Sequence, residues 1–507
     1  MTPLQSSLLL CVAASLLATG CSDTTIATDE QPLEPTEPIA RRDLSGCSPE
    51  TSTACVTLSD GAPAETRYTL FNVLSAEDSG LYLVDGLGRF LNSWSTSGAD
   101  GEPMPEPGHV LGTIEHPGPT TLPSLVDFRS PCVAILDWDG GAVWPNEAPP
   151  GAECGGELNP LQYGTTDEGR PSALAHHDLQ VWNTPVYWTP EITESRGDGR
   201  VLFLAHADLT PEQSAAVGGM DVGEESIVEM AADGKTLLWE WLGADHIDEL
   251  GFDADARAAI TLFAGGLAPP DVPAPPGQGW LLLNAVSYLG PNRHCREPGS
   301  SECDERFHPD NVLVGSRQGA LLFIVARHDH PDGDWSAGNV VWRLGPYFDD
   351  VTFGPISGQH HPHMIPFGLP GEGNILVFDN GSAAGFGRDA SGALTSNLYD
   401  RGYSRILEVD PATREAVWSY EQPTAGADGT PRFYAFNLSS SQRLPGGNTF
   451  IDEGNSGRMF EVTRDGEIVW EFVSPFEPLI TLQLPTGTLS VNVYRAYRVS
   501  PDWAPEG

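Results

Sequence analysis

Three of the chain's thirteen histidines fall within four residues, in the stretch Gly358-Gln359-His360-His361-Pro362-His363-Met364-Ile365-Pro366. A neutral imidazole can attack an electrophile, carry a proton or bind a metal, so this spacing admits several chemistries. One is covalent catalysis by a single histidine with its neighbours as helpers. A second is a metal site: His361 and His363 would face the same way in a strand, a geometry able to hold zinc or copper if His177 or Asp178 joined them. The third is structural, with the imidazoles as polar filler in a turn. Three more stretches set chemistry-bearing residues beside predicted strands: Ala175-His176-His177-Asp178, Trp280-Leu281-Leu282-Leu283-Asn284, and Val314-Gly315-Ser316-Arg317. Each also has a plain reading. The histidine pair could pack or face solvent, Asn284 could cap backbone, and Arg317 could pair with one of seventy acidic residues. Other catalytic signatures are missing: there is no glycine-rich phosphate cradle followed by Lys, no Gly-x-Ser-x-Gly elbow and no His-Glu-x-x-His.

Rigid elements must aim these residues, and internal repetition names the elements. A strand ending in an acidic turn, then Gly, then a strand reaching a Trp recurs six times, at Trp94, Trp144, Trp239, Trp342, Trp418 and Trp470. Examples are YLVDGLGRFLNSW, ILDWDGGAVW and FEVTRDGEIVW. Each reads as a β-hairpin with a Gly or Asp turn and an aromatic packed on the next sheet. Many of the preceding strands open on a Gly or Asn turn, as in GDGRVLFLAH and GEGNILVFDN. Two hairpins make a four-stranded blade, which predicts an all-β chain folded as a six-bladed β-propeller. The uneven Trp spacing requires loop insertions, expected on one face around the channel mouth. A short helical insertion is predicted near residues 245–263.

The net charge of −44, with Lys235 as the one lysine, excludes a phosphate-binding groove and hence a nucleic-acid partner. The acidity itself reads as solubility. It also means that any cation serving an anionic substrate must be placed deliberately. At the start of the chain, the apolar run from Leu8 to Ala18 is too short to span a bilayer and reads as an export signal. Leu17-Ala18-Thr19-Gly20-Cys21 resembles a bacterial lipoprotein cleavage box, which would make Cys21 a lipidated first residue and leave a lipid anchor as the only membrane contact. Residues 1–21 are thus expected as signal peptide, 22–64 as an acidic Pro/Thr-rich tether and 65–507 as the propeller. The location implied is the cell envelope, periplasm or cell surface. Six further cysteines fall in neighbouring pairs, Cys47 with Cys55, Cys132 with Cys154 and Cys295 with Cys303, which suggests three local disulfides.

From about Tyr68 to Trp503 the chain resembles the bacterial arylsulfotransferases. The resemblance is carried by HHDLQVW, WLLLNAVSYLGPN, RFHPDNVLVGSR, GQHHPHMIPFGLPGEGNILVFDNG and SSSQRLPGGNTFIDEGNSGRMFEVTRDGEIVWEF. It implies transfer of a sulfuryl group from an aryl sulfate ester to a phenol through a sulfated histidine, with no metal or other cofactor. Residue by residue, it implies His360 as nucleophile, His177 and Arg317 as contacts of the sulfuryl oxygens, and Asn284 as the asparagine of a His-x-Asn motif. A guanidinium fork suits sulfate oxygens.

The chain departs from that motif at Leu282, where the family has the histidine that handles the proton of the phenol oxygen, a role worth about 100- to 10,000-fold. Three consequences stay open: His361 or His363 supplies the proton, the donor's leaving group needs none, or transfer is lost and an anion site remains. The last belongs to the alternative reading, a non-catalytic envelope propeller that binds a ligand or partner at the histidine loop.

Overall fold

The computed structural model describes residues 47–48, 55–62, 67–75, 78–96, 101–104, 106–113, 133–144, 174–181, 200–208, 210–217, 223–231, 236–263, 280–426, 432–484 and 487–505. Six antiparallel sheets follow one another in a ring, as the repeats predict. Blade 1 contains Tyr68–Val73, Gly80–Val84 and Phe90–Trp94, and takes its innermost strand, Val493–Val499, from the other end of the chain. Blade 2 spans Gly101–Pro103 to Ala142–Trp144, blade 3 Leu174–Val181 to Leu237–Leu242, and blade 4 Leu283–Tyr288 to Val340–Leu344. Blade 5 runs from His360–Met364 to Glu415–Glu421, and blade 6 from Ser440–Arg443 to Ile468–Val473. The first strand of each blade is innermost and lines the channel.

The core consists of layers between neighbouring blades. Leu202 and Leu204 pack toward blade 4, while Val201, Phe203 and Ala205 of the same strand pack toward blade 2. Leu313, Leu322 and Ile324 likewise turn to blade 5, and Val314, Leu321 and Phe323 to blade 3. Alternate side chains thus enter different layers, so a middle strand is apolar on both faces and reads as a continuous run such as LLFIV.

The Trp repeat has a physical cause. The indole N–H of Trp94 donates to Asp137 O (2.7 Å) in the outer hairpin of the next blade. Trp342 does the same to Pro411 O (2.8 Å), Trp418 to Arg464 O (2.7 Å) and Trp470 to Gly86 O (2.9 Å). Blade 3 differs: Trp241 donates to Gly338 O (3.0 Å), while Trp239 lies under the Arg327 guanidinium, 4.1 Å from its ring centroid. The acidic turns explain themselves too. Asp85 Oδ1 accepts from Leu87 N (2.8 Å) and Arg89 N (3.0 Å), closing a hairpin whose left-handed residue is Gly88.

Three sequence expectations need adjustment. Val56–Ser59 lies within the expected tether, yet it pairs with Ile468–Val473 as a fifth strand on the outer edge of blade 6, and Cys47–Cys55 staples it. The strand is short and the segment polar, so its edge pairing left no periodic signal. The helical insertion begins as a 3₁₀ turn, Gly243–His246, and becomes an α-helix only at Ala254–Phe263. Insertions at the channel mouth include that helix and the hairpin Gly387–Arg388/Leu394–Thr395, joined by Arg388 and Asp255 at 2.9 Å. The segment stapled by Cys295–Cys303, however, joins the first two strands of blade 4 and so lies on the opposite face. Cys21 and the Cys132–Cys154 pair lie outside the described residues.

Candidate active site

The innermost strands of blades 3, 4 and 5 share a local irregularity. His177 (φ 57°), Leu282 (φ 48°) and His361 (φ 52°) are left-handed, and each adjoins a break in the pairing register with the second strand. Such bulges re-aim side chains, and a non-glycine left-handed residue costs on the order of 1–2 kcal/mol, so each must be held. Tyr494 Oη donates to His177 O (2.7 Å). Leu282 N and Leu283 N donate to the buried Glu225 carboxylate (2.8 and 3.3 Å), and Leu282 O accepts from Arg317 N (2.9 Å). Leu282 therefore holds, in blade 4, the position that His177 holds in blade 3. Both are half-buried between fully buried neighbours, which places them on the channel wall.

His360 is buried, and its surroundings settle its proton. Nδ1 lies 2.8 Å from Asn380 Oδ1 and 3.0 Å from Gly358 O, both acceptors, so Nδ1 carries the hydrogen. The Leu438 backbone N–H donates to Nε2 (3.2 Å), which therefore presents a lone pair. Burial first, and then the Arg317 charge, holds the imidazole well below its usual pKa, so it is neutral at pH 7. Gly358, immediately before Gln359, is left-handed (φ 62°), and a Cβ there would collide with Ser382 Oγ.

Arg317 follows the second strand of blade 4. Its Nη2 reaches Ser382 Oγ (3.3 Å) and its Nη1 Gln318 Oε1 (3.4 Å), and no carboxylate pairs with it among the described residues. Burial lowers its pKa to about 10, which leaves it charged at neutral pH. Asn284 is fully buried: Nδ2 donates to Gln359 O (2.7 Å), joining blade 4 to the segment that leads into the strand of His360, while Oδ1 has no partner among the described residues. The backbone-tethering reading of Asn284 thus accounts for its amide N–H and not for its carbonyl.

His361 and His363 sit together, ring centroids 4.7 Å apart, as expected, although the left-handed bulge at His361 means that this is not regular strand alternation. They face a different company: the His361 ring meets Tyr497 at 5.8 Å, and Arg495 is their nearby charge. Burial holds both neutral, His363 down to about 4. At neutral pH either could accept a proton and neither could serve as an acid. Asp178 is taken: Arg495 and Leu179 N donate to Oδ1 and Val286 N donates to Oδ2 (2.8 Å), tying blades 1, 3 and 4 together. Among the described residues, no third His, Cys, Asp or Glu ligand atom gathers with the His361–His363 pair. Arg317, His177 and Arg495 are all near enough to lower the pKa of His360, which sets His177 and Arg317 on its side of the channel. Sequence reasoning missed Asn380, Glu225, Ser382 and the Leu438 amide. Asn380 lies inside the quoted FDNG block, so it alone had a readable signal.

The sequence profile of the arylsulfotransferase (ASST) family matches residues 133–475, more than half of the chain. No curated protein matches. Among solved structures, the chain is similar to a protein of unknown function from Bacteroides caccae at 10% identity and TM-score 0.38, covering 85% of this chain and 98% of that one. A europium-containing methanol dehydrogenase shares 12% identity at TM-score 0.33, covering 87% and 75%. A streptogramin B lyase shares 12% at TM-score 0.29, covering 84% and 91%. Likenesses this distant decide nothing about activity. The profile match, spanning the strands that carry His177, Asn284, Arg317 and His360, assigns the chain to the arylsulfotransferase family.

Proposed function

We propose that the protein transfers a sulfuryl group from an aryl sulfate ester to a phenolic acceptor, in two displacements, through a sulfated His360. In the first, the Nε2 lone pair attacks sulfur, the N–S bond forms, the bond from sulfur to the aryl oxygen breaks, and the aryl oxide leaves with that electron pair. In the second, a phenol oxygen attacks sulfur, the N–S bond breaks and its electrons return to the imidazole, while the phenol proton passes to a base. One hard step becomes two easier ones. The transferring group carries its charge on its outer oxygens, so donors fixed around them, here Arg317 and His177, do most of the work. One observation supports this reading above the rest: a buried imidazole kept neutral, with its lone pair on a defined nitrogen, beside an arginine that no described carboxylate neutralises.

Leu282 shapes the substrate. With no histidine there and with His361 and His363 neutral, the donors that suit the site are sulfate esters of acidic phenols, whose oxides leave unaided. On this reading the protein is exported and lipid-anchored through Cys21 at the cell envelope, which palmitate incorporation lost in Cys21→Ala would test. The decisive experiment is peptide mass spectrometry after brief exposure to 4-nitrophenyl sulfate. A sulfuryl adduct on the His360 peptide, absent in His360→Ala, is expected. No adduct and no released nitrophenol would instead favour a propeller that binds an anionic ligand without turning it over.

A further inference from the structure

The orientation of His360 depends on a residue twenty positions later that touches no substrate. Asn380 follows strand Ile375–Asp379, is fully buried, and is fixed from three sides. Its Nδ2 donates to Ala435 O (2.9 Å) and Leu438 O (3.1 Å), and its own carbonyl accepts from Ser404 Oγ (2.9 Å). Because two carbonyls claim the amide's donors, Oδ1 must be the end that faces His360, 2.8 Å from Nδ1. Turned over, the amide would set an oxygen against two oxygens and an NH₂ against the ring N–H. The neighbouring Asp379 anchors this corner through Arg405 (2.8 Å) and Arg401 (2.9 Å).

We propose that Asn380 is the positioning residue of the sulfuryl transfer: its side-chain oxygen holds the proton of His360 on Nδ1, so that the Nε2 lone pair is the one that meets sulfur. The inference rests on the transfer reading above and adds to it. Once Nε2 bonds to sulfur, the ring becomes an imidazolium whose Nδ1–H still points at Oδ1, so the same hydrogen bond strengthens as positive charge develops. The Leu438 N–H, which caps Nε2 at rest, is displaced when the N–S bond forms. Freed beside the new N–S bond, that N–H is available to donate to a sulfuryl oxygen. Gly358 O is a second acceptor for Nδ1–H, but it lies two residues before the ring in the same segment, whereas Asn380 reaches the ring from just beyond the neighbouring strand Ile375–Asp379. The charged and titratable groups that act on His360 are Arg317 of blade 4, His177 of blade 3 and Arg495 of blade 1; none is an acceptor able to replace Oδ1.

The test combines a spectroscopic readout with single-turnover loading by 4-nitrophenyl sulfate. In ¹⁵N-histidine-labelled protein, with His360 assigned by its loss in His360→Gln, the wild type should show Nδ1 protonated and Nε2 bare between pH 6 and 8. The reverse tautomer would overturn the proposal whether or not the protein transfers sulfuryl groups. Asn380→Leu, which keeps volume and removes the acceptor, should mix the two tautomers and slow loading by about 10- to 100-fold at an unchanged donor KM, as loss of an outer-shell partner does. Unaltered tautomer and rate in a folded Asn380→Leu protein would also overturn it. Asn380→Asp restores an acceptor, so it should load faster than Asn380→Leu, with the acid limb of its pH profile moved upward because a carboxylate favours imidazolium. An Asp variant no better than Leu would reduce Asn380 to packing. If the wild type shows the expected tautomer but no adduct forms, the transfer reading fails and the Asn380 assignment stands as a statement about the ring.

Discussion

Two buried arginines in this propeller live under opposite rules. Arg458, in the third strand of blade 6, is 4% exposed and sits between Glu453 at 3.3 Å and Glu471 at 2.6 Å. Arg317, at the mouth of the channel, is 8% exposed, and among the described residues its guanidinium meets only a hydroxyl and an amide oxygen. Arg405 and Arg443 follow Arg458, paired with Asp379 and Glu408 at 2.8 Å each. In a chain with seventy acidic residues and twenty-six cationic ones, the scarce cations are normally claimed at once. A buried cation left without its carboxylate is unfavourable unless an anion arrives to complete it, so the contrast sets framework arginines apart from the proposed anion contact.

The largest expected effects come from treating the two alike. Arg458→Met strands two buried carboxylates and should lower stability by about 3–5 kcal/mol in urea unfolding. Arg317→Met strands nothing; its stability should equal or exceed wild type, while kcat/KM for 4-nitrophenyl sulfate falls by about 100- to 1,000-fold. Equal destabilisation by both changes would erase the distinction. Next in size, Leu282→His should raise turnover of phenyl sulfate by up to about 100-fold and barely change that of 4-nitrophenyl sulfate, because only the poor leaving group needs a proton. A uniform effect on both donors would mean that position 282 does not face the aryl oxygen.

A smaller effect concerns the inward histidines. His363 titrates near 4 in the folded chain and near 6.5 unfolded, so below pH 6.5 the unfolded state takes up the proton first and stability falls. Between pH 7.5 and 5 this amounts to roughly 2 kcal/mol, and His363→Leu should remove that part of the acid sensitivity. The smallest is kinetic. His360 is held well below 6.5, so its loading rate should stay level from pH 8 to pH 6, where an ordinary histidine would lose about fourfold.

The propeller was legible in the sequence because its devices are local: an Asp that caps its own turn, a Trp a fixed distance on, a run apolar on both faces. The candidates His360, His177, Arg317 and Asn284 came from the family resemblance, and the structure carries them on blades 3 to 5 around one channel. What stayed hidden is non-local or carried by main chain. The Leu438 amide has no side-chain signature, and Glu225 reaches across a blade boundary to the backbone of Leu282. Val56–Ser59 joins a sheet more than four hundred residues downstream. Trp241, not the repeat's Trp239, is the indole donor of blade 3, while Arg327 lies over the face of Trp239, an arrangement no spacing rule anticipates.

The innermost strand of blade 1 also couples the closure of the ring to the candidate site. Val493–Val499 closes the ring, and from it Tyr494 holds the left-handed His177 while Arg495 satisfies Asp178. His177 and Asp178, in blade 3, are thus held from the seam where Val493–Val499 pairs with Tyr68–Val73, so a substitution that loosens the ring's closure would release both together.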